Sequence, residues 1–145
     1  MQETETKLTT RVITAQDWKD IEQKLTHFYS QVKLVCDGYP ITICLERVSQ
    51  MQNRLRVYVN GVIMGKWFVE DCEERRRFMR PRTKQFRSKK ELAKMRRIDK
   101  KWAKEWEKRN TYTYYEDGWT SFRSLKSHLI KQNKVIELVV ADERS

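Results

Sequence analysis

The hydrophobic period of this chain changes near residue 30, from a helical repeat to alternation, and that change confines it to a mixed α and β architecture. Trp18, Ile21, Leu25 and Phe28 recur at steps of three, four and three, so they share one face of a helix over about 15–29 while Lys19, Asp20, Gln23 and Lys24 stay in water. Thr14 stands where an N-cap is needed, and Asp17 falls in the first turn. From Val32 to Trp67 the pattern alternates, which predicts strands at Val32–Cys36, Ile41–Glu46, Arg54–Val59 and Val62–Trp67. Asp37-Gly38 and Asn60-Gly61 are the turns between them, since both pairs tolerate the positive φ angles of a two-residue hairpin. The expected fold is α+β, an antiparallel meander of about four to five strands packed with helices.

Downstream, Glu70–Arg80 reads as a short helix with acids in its first turns and arginines in its last, stopped by Pro81. Ser88 and Glu91 fit a capping box opening one long helix to about Asn110. Tyr112, Tyr114 and Tyr115 form an extended segment ending at Asp117-Gly118. Thr120 then caps a helix with Phe122, Leu125, Leu129 and Ile130 inward and Asn133 closing it, and Val135–Val140 is a last strand. A single domain over 11–140 follows, with residues 1–10 as an arm and 141–145 as a polar tail. No secretory or membrane-spanning apolar run is present, so the expected location is the cytoplasm.

Charge is the other informative pattern. The formal net charge is +11, yet residues 1–74 carry 9 basic and 11 acidic groups whereas residues 75–109 carry 17 and 4. A field this concentrated attracts anions. Within it, Lys90, Lys94, Arg97, Lys101, Lys104 and Lys108 are spaced four, three, four, three and four. On an unbroken helix they occupy a sector of roughly 80° over about 27 Å, a rail able to follow a phosphate backbone or an acidic protein surface. Arg75, Arg76, Arg77, Arg80, Arg82, Lys84 and Arg87 lie just upstream and extend the candidate anion site. Leu92, Met95, Ile98, Trp102 and Trp106 make the opposing apolar stripe, which predicts both tryptophans as core residues that do not stack on bases.

A secondary candidate face comes from the third strand. Leu55, Val57 and Val59 point one way, so Arg54, Arg56 and Tyr58 point the other, joined by Ile63 and Trp67. It reads either as a base-stacking platform or as a surface covered by another element, with the arginines extended to water.

Catalytic constellations are thin. The two histidines, His27 and His128, have no second ligand at metal-binding spacing, and the four glycines form no phosphate loop. Glu70, Asp71, Glu73 and Glu74, with Glu46 and Lys66, lack the acid spacing of a magnesium nuclease, and Ser124, Ser127 and His128 lack an acid partner. Cys36, Cys44 and Cys72 read as reduced core thiols. The expectation is a non-enzyme without cofactor or metal.

The runs Glu70–Pro81, Tyr112–Tyr115, Trp119–Phe122 and Leu125–Lys131 resemble a family of short proteins from tailed bacteriophages and prophages that has no assigned activity. The resemblance covers roughly Ile41 to Leu138. It implies expression in an infected bacterial cytoplasm, where small phage proteins bind DNA or RNA, redirect host enzymes or block defence complexes such as CRISPR effectors. The expected function is therefore an accessory factor binding nucleic acid or a nucleoprotein complex through its basic helix. An inhibitor engaging an acidic host protein surface is the alternative, and a metal-dependent nuclease a distant one.

Overall fold

One Asx-Gly turn, Asp37-Gly38, sets the register of the first hairpin of the main sheet, and Asn60-Gly61 repeats its geometry. Asp37 and Gly38 take φ of 46° and 89°, and Asn60 and Gly61 take 52° and 79°, the paired positive values of a type I′ turn. The structure, a computed structural model, describes residues 8–85 and 88–142. Around the first turn, strand β2 (Gln31–Cys36) pairs with β3 (Tyr39–Ser49), and β3 continues into β4 (Gln52–Val59), giving the expected meander. With β1 (Leu8–Val12), β7 (Gly118–Trp119) and β8 (Ile136–Asp142), the order is β1-β8-β2-β3-β4-β7 in a six-stranded antiparallel sheet.

The described chain divides into two compact units, one running up to Arg80 and resuming at Asp117, the other Pro81–Glu116. A single domain over 11–140 is the expectation from sequence, where nothing marks this partition. The first unit holds the sheet with α1 (Ala15–Lys24), α2 (Glu73–Phe78) and α5 (Phe122–Gln132). Alternation selects the face that is buried: Val32, Leu34, Ile41, Ile43, Leu55, Val57 and Val59 join Trp18, Ile21, Leu125 and Leu129 in its core. Burial of each such side chain contributes about 1.5–3 kcal/mol. Cys36 and Cys44 lie in the same sheet, and burial pushes their thiols up to about 12 and about 11, leaving them protonated, whereas Cys72, expected in the core with them, is half-buried at the start of α2.

Several expected boundaries move. Helix α1 ends at Lys24, and Phe28 beyond it is exposed. Its start is as expected: Thr14 and Asp17 form a reciprocal capping box, and Asp17 also takes a paired contact from Arg11. Residues 8–10 belong to β1 and residues 141–142 to β8, so arm and tail give way to pairing there; their remainders, 1–7 and 143–145, lie outside the described residues. Ser121, not Thr120, caps α5, and Ile130 on that helix is 52% exposed.

The strand expected at Val62–Trp67 is absent. Only a bridge between Val59 and Val62 follows the turn, and Gly65–Phe68 form a 3-10 turn that buries Trp67. Val62, Ile63 and Met64 are apolar in succession and Gly65 follows, so no alternating face exists to hold a strand. The place beside β4 goes to β7, through Leu55 opposite Trp119 and Arg56 opposite Gly118. Glycine is required at 118 because a Cβ there would stand 2.9 Å from Arg54 Cβ.

In the second unit, β5 (Arg80–Gln85) and β6 (Thr111–Glu116) pair as a two-stranded ribbon, and the chain between them forms α3 (Lys89–Ile98) and α4 (Lys100–Arg109). The single long helix expected from Ser88 to Asn110 is therefore two. Asp99 leaves helical geometry at φ −155° and ψ 110°, and its carboxylate caps α4 by accepting from the amides of Lys101 (3.0 Å) and Trp102 (3.3 Å). Arg96 reaches Glu107 at 3.2 Å. Those two residues would lie about 16 Å apart along an unbroken helix, so the helices turn against one another. Asp99→Ala is expected to cost about 1 kcal/mol of cap energy in chemical denaturation, while Asp99→Asn stays near wild type.

Candidate nucleic-acid interface

The arginine run upstream of the ribbon is largely committed to internal contacts. Arg77 donates to Asp37 at 2.7 Å and to Asn133 at 2.9 Å, lies 5.3 Å from the Tyr39 ring centre and approaches Glu73 at 3.8 Å. It ties α2 to the β2–β3 turn and to the end of α5. Asp37 also accepts from the amides of Lys134 and Val135, at 2.9 and 2.8 Å. Those two bonds and the Arg77 guanidinium lower its carboxyl from the ordinary 3.8 to about 2.

The consequence for acid stability has a definite sign. A carboxylate whose pKa falls on folding stabilises the native state above its unfolded pKa and loses that contribution as pH falls through the folded value. Stability of wild type is expected to decline between about pH 4 and pH 2, and Asp37→Asn should flatten the decline. Equal acid curves for the two proteins, measured by thermal melts, would contradict this assignment. Asp17, lowered to about 2 first by Arg11 and then by the Thr14 amide, contributes in the same window.

Arg76 stands 3.3 Å from Asp71 and donates to the Cys72 carbonyl. Arg75 and Arg80 are half-buried. In the second unit Arg82 faces Glu116 at 3.9 Å, Lys84 is exposed, and Arg87 lies outside the described residues. Arg76 and Arg77 are thus held in ion pairs, contrary to a continuous array of available cations: Arg76 by nearby Asp71, and Arg77 by Asp37, which folds against it from 40 residues away.

The acidic run is similarly occupied, with Glu73 accepting from the Tyr39 hydroxyl at 2.7 Å. Among the described residues no group of three or more His, Cys, Asp or Glu stands close enough to hold a metal. His128 contacts the Arg76 carbonyl at 2.8 Å and packs 4.9 Å from the Trp119 ring. Ser121 and Ser124 meet each other at 2.6 Å at the start of α5.

The secondary face is likewise half-buried and internally paired. Tyr58 donates to Glu46 at 2.6 Å, Arg56 lies 3.7 Å from Asp117 and 3.9 Å from Glu46, and Arg54 donates to the Asn53 carbonyl and the Gln52 side chain. Burial and then Glu46 raise the Tyr58 hydroxyl above its ordinary value of 10.0. Trp67, expected beside them, is 4% exposed. A half-buried tyrosine tethered to a carboxylate is a poor stacking platform.

The six cations of the proposed rail behave differently. Lys90, Lys94 and Arg97 are exposed on α3, and Lys101, Lys104 and Lys108 are exposed on α4. None has an internal ion pair or side-chain hydrogen bond among the described residues. The straight 27 Å rail is lost at Asp99, leaving three cations on each of two short helices. Residues 81–116 contain 13 basic and 5 acidic groups, so this small unit carries most of the chain's excess charge. Between ribbon and helices lies an open groove of about 710 Å³ lined by Thr83, Lys84, Ser88, Lys89, Arg96 and Glu107. Arg96 and Gln85 hold the Glu107 carboxylate, so Lys84 and Lys89 set the sign of the groove.

The apolar side of the helices also departs from expectation. Leu92 is buried and Met95 half-buried on α3, but on α4 the inward residues are Ala103, fully buried, with Trp106, Glu107 and Asn110 half-buried. Ile98 is 85% and Trp102 50% exposed. The break at Asp99 changes the phase of the stripe, which carries Trp102 out of the core.

No protein-family model, curated protein sequence or solved structure matches the chain. Among the described residues no helix is long and apolar enough to cross a membrane.

Proposed function

We propose that residues 81–116 form a polyanion-binding module, and that the protein acts by binding nucleic acid, alone or within a nucleoprotein complex, without catalysing a reaction. The observation that carries this reading is the set of six exposed cations on α3 and α4 that have no internal partner among the described residues. Arg76, Arg77 and Arg82 show that this chain pairs its cations where pairing serves the fold. Like charges one helical turn apart repel, and neighbouring phosphates relieve that repulsion while releasing condensed counterions.

The phage setting rests on the sequence motifs Glu70–Pro81, Tyr112–Tyr115, Trp119–Phe122 and Leu125–Lys131 alone. It makes the proposed role that of an accessory factor in an infected bacterial cytoplasm. Titration with heparin and labelled oligonucleotides tests the binding reading. Affinity should fall steeply as salt rises from about 50 to about 200 mM, and no binding to any polyanion at the lower salt would overturn it. Tight binding to an acidic host protein, with none to nucleic acid, would move the reading to a protein-directed inhibitor.

A further inference from the structure

We infer that the nucleic acid taken by this module is single-stranded, with a base stacked on Trp102 and its phosphates held by the cations on either side of the Asp99 corner. The inference rests on the polyanion reading above and adds the strandedness of the partner and the residue that senses it.

Trp102 is the exception among the tryptophans. Trp18, Trp67 and Trp119 are 6%, 4% and 3% exposed, and Trp106 is half-buried, whereas Trp102 leaves half its surface in water. Nothing in the local backbone demands an aromatic there, because the cap at the start of α4 engages Trp102 through its amide and not its side chain. Ile98, the last residue of α3, is 85% exposed, so each of the two cationic helices presents an exposed apolar side chain near the Asp99 corner.

The surrounding charge chooses the occupant. Lys94 is one turn before Ile98, Arg97 and Lys101 flank the corner, and Arg109 lies two turns beyond Trp102 on its side of α4. Asp99, whose carboxylate is taken up by the α4 amides, and Glu105, one turn from Trp102, are the acids on this flank, fewer than the cations around them. An apolar partner would bury four cations without pairing them. A single strand meets both demands, since its phosphates pair the cations and any unpaired base offers a flat face to the indole. In a duplex those faces are already stacked and opening a step costs free energy, so the indole adds nothing to backbone binding.

The test compares a dT oligonucleotide, an abasic strand of equal length and a duplex, against wild type, Trp102→Ala and Trp102→Phe. Wild type should bind the dT strand more tightly than the abasic one, with quenching of tryptophan fluorescence. Trp102→Ala should lose about tenfold in affinity for dT, keep its affinity for the abasic strand and melt as wild type does, while Trp102→Phe recovers most of the loss. Equal binding of dT and abasic strands by wild type, or a tighter hold on the duplex, overturns the stacking inference and leaves polyanion binding standing. Failure of wild type to bind all three strands and heparin overturns both.

Discussion

Reversal of Lys94, Arg97 and Lys101 to glutamate is expected to lower nucleic-acid affinity at least a hundredfold near 0.1 M salt while the protein stays folded. Each lost contact to a single strand removes about 0.7 from the slope of log affinity against log salt, so three remove about 2.1, or close to two decades at ~0.1 M. With duplex DNA the loss of slope is about 2.7. Repulsion between the new carboxylates and phosphate adds to the affinity loss. Helix propensity changes little, because lysine, arginine and glutamate rank close together. The dipole terms oppose one another: a carboxylate in place of Arg97 would stand unfavourably in the last turn of α3, and one in place of Lys101 favourably in the first turn of α4. Circular dichroism should therefore match wild type. A variant that binds every strand with unchanged affinity and slope would return both helices to the status of solvated surface.

Phe78→Ala is expected to be the most damaging single substitution in the first unit, costing about 3–5 kcal/mol in urea denaturation. Phe78 is 2% exposed, meets the Tyr39 ring edge-on at 5.7 Å, and its carbonyl accepts from the Trp119 indole at 3.1 Å. Removing its ring leaves a cavity beside the residues that hold α2 to the β2–β3 turn. Since native stabilities run to about 5–15 kcal/mol, a loss of this size removes a large share of the total and shifts the urea midpoint well below that of wild type. Trp102→Ala provides the contrast, an aromatic deletion at a half-exposed site that should leave the midpoint nearly unchanged. A small effect at Phe78 would mean that α2 contributes little to the core.

What the sequence determined by itself was local. Asp37-Gly38 and Asn60-Gly61 specify their turns because positive φ is a property of the residues occupying it, whatever surrounds them. Thr14 caps α1 through a bond to an amide three residues away, and the alternation of Leu55, Val57 and Val59 names the buried face because the strand period is two. The excess charge of residues 81–116 is likewise a matter of composition. Tertiary structure decided which cations are available and which apolar residues are covered. Arg77 reads in sequence like its neighbours, and only the approach of Asp37 and Asn133, 40 and 56 residues distant, makes it structural. β7 takes the edge of β4 where the strand expected after Asn60 would pair, bringing buried Trp119 opposite Leu55 from 64 residues along the chain. Asp99 carried a legible signal, a strong cap residue of low helix propensity before a fresh helical run, but either one helix or two satisfied the local pattern. The choice between them depends on what the buried stripe packs against, and a shift of one residue in a helix turns each side chain by about 100°. That rotation puts Ala103 inside and leaves Trp102 half in water.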